Sequence, residues 1–166
     1  MIKFTGKAIG SILPSSLVYI PEEEAFNFQP FPETPCGILS AGMLELCVDV
    51  ADNHVLSVSG RDPHTTWKKI SLSPPSFKQS ALYVTNHEFK PGIGIDLFSE
   101  KWPSRYVDLE KGWVCIGDPE AQGEAIEFAP SCGAVLDNGE MRAIWLHPKE
   151  LPRDSGSKTS AATSPT

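Results

Sequence analysis

A chain of 166 residues is long enough for one domain with a real core and too short for two large ones, and 40% hydrophobic with 21% charged residues is a globular composition that argues against disorder over most of the length. The formal charge of −7 is concentrated, because residues 93–140 hold ten acids against three bases and the remainder is neutral. Such a field repels nucleic acid and anionic membrane and attracts a basic protein partner, or serves only to keep the surface solvated.

The N-terminus, MIKFTGKAIGSILPSSLVYIPEEEA, imitates a secretory leader with two lysines and a mildly apolar run. Gly10, Ser11, Pro14, Ser15 and Ser16 interrupt that run and no small-x-small site follows, so it reads as mature protein. No apolar stretch approaches the roughly 20 residues that cross a bilayer. The expectation is a soluble, cytoplasmic protein. Residues 4–20 have room for one or two strands, and Pro21–Ala25 suits a brief helical turn, with proline at a first helical position and acids in the first turn. Residues 21–37, PEEEAFNFQPFPETPCG, read as a proline-rich loop whose Phe26, Phe28 and Phe31 either anchor it to a sheet or offer a binding surface.

Two hairpins stand out. In MLELCVDV-ADNH-VLSVSG, Leu44, Leu46, Val48 and Val50 share one face, and Asp52-Asn53 supplies turn chemistry. In AVL-DNGE-MRAIWL, Asn138-Gly139 can take positive φ in a tight turn. Between them KKISL (68–72), SALYVT (80–85), GIGIDLF (92–98), RYVDL (105–109), GWVCIG (112–117) and EAIEF (124–128) each read as a strand. The fold class is all-β, an antiparallel β-sandwich or partly closed barrel of about ten short strands with little helix. The chain forms a single β domain over 1–151, and PRDSGSKTSAATSPT (152–166) reads as a flexible tail without apolar bulk.

GWVCIG is apolar at both parities, with Trp113 and Cys115 pointing one way and Val114 and Ile116 the other, as in a strand buried on both faces. Cys115 is therefore expected to be a small core hydrophobe with a raised pKa rather than an activated thiolate. The four cysteines, Cys36, Cys47, Cys115 and Cys132, are even in number and lack metal-ligand spacing. In a cytoplasm they would be reduced, whereas an exported chain could pair them.

His54 and His64 each sit beside an aspartate, but the strand Val55–Ser59 separates them by roughly 16 Å, so they cannot share an ion. Both read as turn residues. His87-Glu88 lacks the helix of a zinc-protease motif, since Pro91 and Gly92 follow. His147 is a strand-border residue. No nucleophile elbow, phosphate loop or dinucleotide fingerprint occurs, and no metal or cofactor is expected. Asp108 and Glu127 form a carboxylate pair only if the fold brings them into one pocket. The residue types richest in binding hot spots gather in EKWPSRY, as Trp102, Arg105 and Tyr106, unless Trp102 and Tyr106 merely cap the sandwich. Trp67 and Trp145 look like core or cap residues.

The stretches LELCVDVADNHVLSVSGRDPHTTW and GWVCIGDPEAQGEAIEFAPSCGAVLDNGEMRAIWLHP, within residues 43–148, resemble small acidic immunity proteins of bacterial polymorphic or contact-dependent toxin systems. The resemblance implies a cytoplasmic protein that binds one cognate toxin domain and blocks its active site or substrate channel. It transfers no functional residue, because no motif matches residue by residue. The reading is a non-catalytic binding protein for a basic partner, in which Asp118, Glu120 and Glu124 steer association and Trp102, Arg105 and Tyr106 supply affinity. The alternatives are a small β-barrel enzyme or small-molecule-binding domain, and a structural subunit that forms a homo-oligomer through an edge strand.

Overall fold

A computed structural model describes residues 1–9 and 14–152. In chain order the strands are Phe4–Lys7 (β1), Ser16–Ile20 (β2), Ala25–Gln29 (β3), Cys36–Ala41 (β4), Leu44–Asp49 (β5), Val55–Arg61 (β6), Lys68–Lys69 (β7), Lys78–Gln79 (β8), Ala81–Val84 (β9), Gly94–Asp96 (β10), Arg105–Asp108 (β11), Trp113–Gly117 (β12), Glu124–Ala129 (β13), Cys132–Asp137 (β14) and Glu140–Leu146 (β15). A single 3-10 turn, His64–Thr66, is the helical content of the described residues.

Two sheets make an all-β, sandwich-like fold with no closed barrel, as the sequence leads one to expect. A six-stranded sheet runs β10-β4-β5-β6-β3-β2, a seven-stranded sheet runs β7-β11-β12-β15-β14-β13-β8, and β1 and β9 form a separate ribbon. Pairing is antiparallel except at the margins, where β10, β7 and β8 each add a short parallel strand. The inner faces of the two sheets share one core, in which Leu39, Leu46 and Val58 belong to the first sheet and Val114, Ile126 and Ile144 to the second. Both predicted hairpins are present. Asn53, at the first, and Asn138 with Gly139, at the second, take the positive φ that their turns require.

The seven-stranded sheet is covered on its outer face as well. There Cys115, Val135, Ala143 and Trp145 are buried beneath Leu72 and Phe77. The cover is a strap: β7 pairs with β11 at one margin and β8 with β13 at the other, so residues 70–77 cross the whole sheet. Six strand spacings of ~4.8 Å make about 29 Å, and the nine residue steps from Lys69 to Lys78 at ~3.3 Å reach about 30 Å, so the strap is almost fully extended. Asp108 anchors it by accepting the Leu72 N–H at 2.9 Å, and Lys111 Nζ donates to the Leu72 carbonyl at 2.9 Å. Gly133 leaves room for it, since a Cβ there would lie 2.5 Å from the Phe77 ring. β12 thus is the doubly buried interior strand that its two-parity pattern implies.

Three expectations need correction. Residues 21–37 are not a loop throughout, because β3 occupies 25–29 and β4 starts at Cys36. Phe26 and Phe28 alternate with Asn27 and Gln29 and are buried, a period-two signal that the prolines at 30, 32 and 35 obscure. Phe31, 54% exposed, is the one that stays on the surface. Residues 21–24 form a tight hairpin turn rather than a helical one, closed by Glu23 N–H to the Ile20 carbonyl at 3.1 Å, with Glu24 at φ 53°. Finally, Cys36 and Cys47 are joined in a disulfide with their Cα atoms 5.5 Å apart. Register explains the pairing: Ile38 faces Cys47 and Cys36 faces Asp49, so the two cysteines are diagonal neighbours on adjacent strands. Disulfides persist in oxidising compartments, so the reduced, cytoplasmic expectation loses its support. Cys115 and Cys132 are free and buried.

The tail expected over 152–166 lies, from residue 153 onward, outside the described residues. Among the described residues no helix is long and apolar enough to cross a membrane.

Candidate functional site

One end of the sandwich is closed by a buried polar network. β6 ends at Arg61, and the chain turns through Asp62 and Pro63 into His64–Thr66. Asp62, 2% exposed, meets Arg105, 8% exposed, at the start of β11, with Arg105 Nε donating to Asp62 Oδ1 at 2.7 Å. Trp67 Nε1 donates to the same oxygen at 3.2 Å. Arg105 also donates to the Pro103 carbonyl at 2.8 Å and to the Ala41 carbonyl, so one side chain ties the seven-stranded sheet to the end of β4 in the other. Burial is the largest influence on Asp62 and pushes its pKa above the ordinary aspartate value, while Arg105 and the Trp67 hydrogen bond pull against it. Its second oxygen, Oδ2, is buried and has no hydrogen-bond partner among the described residues.

Aromatic rings pack around this pair. Tyr19 Oη donates to the Asp62 carbonyl at 2.7 Å and accepts the His64 N–H at 3.1 Å. Desolvation raises the Tyr19 pKa, so the phenol stays protonated. Phe26 and Trp67 each lie within 6.0 Å of another ring of the cluster. Only the outer edge of the network is open. Trp102 stands there 58% exposed, beside Met43 at 42%. Its indole rests on Gly42, where a Cβ would come within 2.7 Å of the ring and where φ is 69°, so both space and backbone require glycine. Between Trp102, Met43, Arg61, Thr66, Lys68 and the Asp62–Arg105 pair lies a cleft of ≈300 Å³.

The sequence-predicted residues fall on both sides of that edge. Arg105 is not the surface anchor its hot-spot neighbours suggest; it is buried and committed to Asp62. Trp102 lines the cleft. Tyr106, one residue on, faces the outer side of the sheet with the Lys68 ammonium 5.5 Å from its ring centroid. Gly117 N–H donates to the Ser104 carbonyl at 2.9 Å, which brings the β12–β13 connection alongside the Trp102 loop. Asp118, Glu120 and Glu124 are exposed on that connection and its end, and Asp118 and Tyr106 line a shared depression of ≈380 Å³ with Glu100. Asp137 and Glu140 at the same end pair with Arg142, and Glu140 also with Lys3. Among the described residues Glu100, Asp118, Glu120 and Glu124 have no ion-pair partner.

Sequence reasoning missed Asp62 and Tyr19 as parts of this site. Asp62 carries turn chemistry that its neighbours explain fully, and its partner lies 43 residues away, so no local spacing announces it. Asp108 and Glu127 do not converge: three strands separate β11 from β13. Asp108 accepts the Leu72 and Lys111 N–H groups, and these hydrogen bonds lower its pKa. Neither free thiol is activated: burial pushes Cys115 up to about 12 and raises Cys132 as well. Among the described residues no group of three or more His, Cys, Asp or Glu is placed to hold a metal ion. No known family model matches this chain and no curated protein matches it.

Proposed function

We propose that this is a non-catalytic binding protein that holds a basic protein partner against the end of the sandwich that carries Trp102, Tyr106 and Asp118, with Glu120 and Glu124 farther along the same margin. One observation carries the reading: an indole more than half exposed stands over Gly42 next to the buried Asp62–Arg105 pair, and close by, Glu100 and Asp118, without an ion-pair partner among the described residues, line one depression with Tyr106. Tryptophan is among the residue types most enriched at binding hot spots. Exposed acids beside it speed the encounter with a cationic face and reject anionic ones. In the narrower form, which the resemblance supplies, the partner is a toxin domain and binding covers its active site.

The test is capture of partners at low salt from the native cells, followed by binding kinetics with the captured protein. Replacing Asp118→Asn, Glu120→Gln and Glu124→Gln together should slow association about tenfold or more and flatten its salt dependence. Trp102→Ala should instead speed dissociation. A partner whose kinetics ignore both variants would refute this placement of the surface. The narrower form requires in addition that the captured protein be a toxin domain whose activity falls on binding.

A further inference from the structure

Two Asp–Pro bonds occur in the chain, Asp62–Pro63 and Asp118–Pro119. A bond of this kind carries its own means of breaking. The side-chain carboxylate is tethered to the peptide carbonyl carbon so that attack closes a five-membered ring, and the tertiary amide of proline releases a basic secondary amine. The surroundings of each bond decide whether that chemistry is used.

At Asp62 they favour it. The carbonyl of the Asp62–Pro63 bond accepts the Tyr19 Oη–H at 2.7 Å, and Tyr19 Oη in turn accepts the His64 N–H at 3.1 Å, which keeps the phenol proton on that carbonyl. A buried donor at the atom where an oxyanion would form is the usual device for stabilising one. Asp62 Oδ1 takes the hydrogen bonds of Arg105 and Trp67, which fix the carboxylate, while Oδ2 takes none among the described residues. Oδ2 lies out of any ligand's reach, but attack on its own main chain needs no ligand. Pro63 lines the cleft of ≈300 Å³, so the bond borders water. Asp118 lacks this setting: it is exposed, its carboxylate accepts the Glu120 N–H at 2.9 Å, and its carbonyl accepts the Ala121 N–H at 3.2 Å.

We propose that the folded chain cleaves itself between Asp62 and Pro63. Asp62 Oδ2 attacks the Asp62 carbonyl carbon while Tyr19 Oη–H stabilises the developing oxyanion. The C–N bond then breaks, and its electron pair passes to the Pro63 nitrogen, which takes a proton from water in the cleft. One water opens the cyclic anhydride left on residue 62, so the sum is hydrolysis of one peptide bond. It happens once per chain and does not rest on partner binding. The pieces 1–62 and 63–166 stay together, because β1 pairs with β9 and the two sheets share one core. The Cys36–Cys47 bridge lies wholly within the first piece and does not tie them.

The test incubates the purified full-length protein at neutral and mildly acidic pH and follows it by denaturing gel and intact mass. One cut should appear, releasing a fragment that begins Pro63-His64, at a first-order rate independent of protein concentration. Acid should speed it, since the leaving nitrogen needs a proton. The charged and titratable groups around Asp62 are Arg105 from β11, Tyr19 from β2, Glu24 from the β2–β3 turn, Arg61 and His64 on either side of it, and Lys68 across the cleft. Added hydroxylamine should open the anhydride in place of water and leave fragment 1–62 as its hydroxamate. Tyr19→Phe should slow the cut about a hundredfold. Pro63→Ala, which leaves Asp62, Arg105 and Tyr19 in place, should slow it about tenfold or more by restoring a secondary amide. In denaturant the Asp62 bond should lose its advantage and break no faster than Asp118–Pro119. The proposal fails if the folded chain stays whole, if Asp118–Pro119 breaks as fast in the folded protein, if denaturant leaves the Asp62 rate unchanged or raises it, or if Pro63→Ala cuts as fast as wild type. None of these outcomes depends on the Tyr19→Phe protein folding.

Discussion

The outer faces of the two sheets are finished in different ways. On the six-stranded sheet the burial of β4 alternates residue by residue, and the outward side of β4 and β5 is pinned by the Cys36–Cys47 bridge. On the seven-stranded sheet β14 is buried at Cys132 through Leu136 without alternation, because a strap of the chain itself lies over it. One sheet is stapled covalently and left wet; the other is roofed and dry. The contrast teaches that burial on both faces of an antiparallel sheet needs no second layer of helices or strands, only an extended segment long enough to span it.

The comparison is best broken from its driest point. Trp145→Ala, under the strap, should cost about 3–5 kcal/mol in denaturant unfolding, whereas Ile38→Ala on the opposite sheet's outer face should cost about 1 kcal/mol or less. Equal costs would mean that the strap is not a true cover. Next in size is the staple. Cys36→Ser with Cys47→Ser should lower stability by about 2–3 kcal/mol, the entropy of opening so short a loop. The native protein should show no thiol reactive toward a disulfide reagent at neutral pH, and denaturation without reductant should expose Cys115 and Cys132 alone.

Smaller again is the strap's anchor. Asp108→Asn should cost about 1–2 kcal/mol near neutral pH by weakening the charge-assisted bonds from Leu72 and Lys111. Because the folded-state pKa of Asp108 is depressed, its contribution is complete above the unfolded value of about 3.9 and is lost as pH falls below that toward the folded value. The difference between wild type and variant should therefore shrink in acid. Asp62 has the opposite sign, since its raised pKa makes the ionised form a burden that acid relieves. A difference that grows in acid would assign the anchor to another group. The smallest effect belongs to Trp102→Ala, which should stay within about 0.5 kcal/mol, because the side chain is mostly in water.

Local pattern reached most of the sandwich. Period two in Leu44–Val50 and turn chemistry at Asn138-Gly139 act over a few residues and are visible in the string. The doubly apolar GWVCIG even reported the roof over it. What stayed hidden was non-local. β3 was masked by its flanking prolines, β8 is two residues long and exists only through its partner, and the disulfide follows from the β4–β5 register, which composition does not contain. At the site, Trp102, Asp118, Glu120 and Glu124 are exposed, as a residue offered for contact has to be. Arg105 was misread for a physical reason: an arginine is buried only when a carboxylate meets it, and Asp62 arrives from the other sheet.

The strap has one more effect, on how molecules meet in concentrated solution. Its two ends occupy the margins of the seven-stranded sheet, and Val18 in β2 is bridged by Lys149 at one margin of the other. β10, at the far margin of the six-stranded sheet, is three residues long and carries Asp96. An edge that short and negatively charged gives sheet-to-sheet growth, the usual seed of fibrous aggregation, little to pair with.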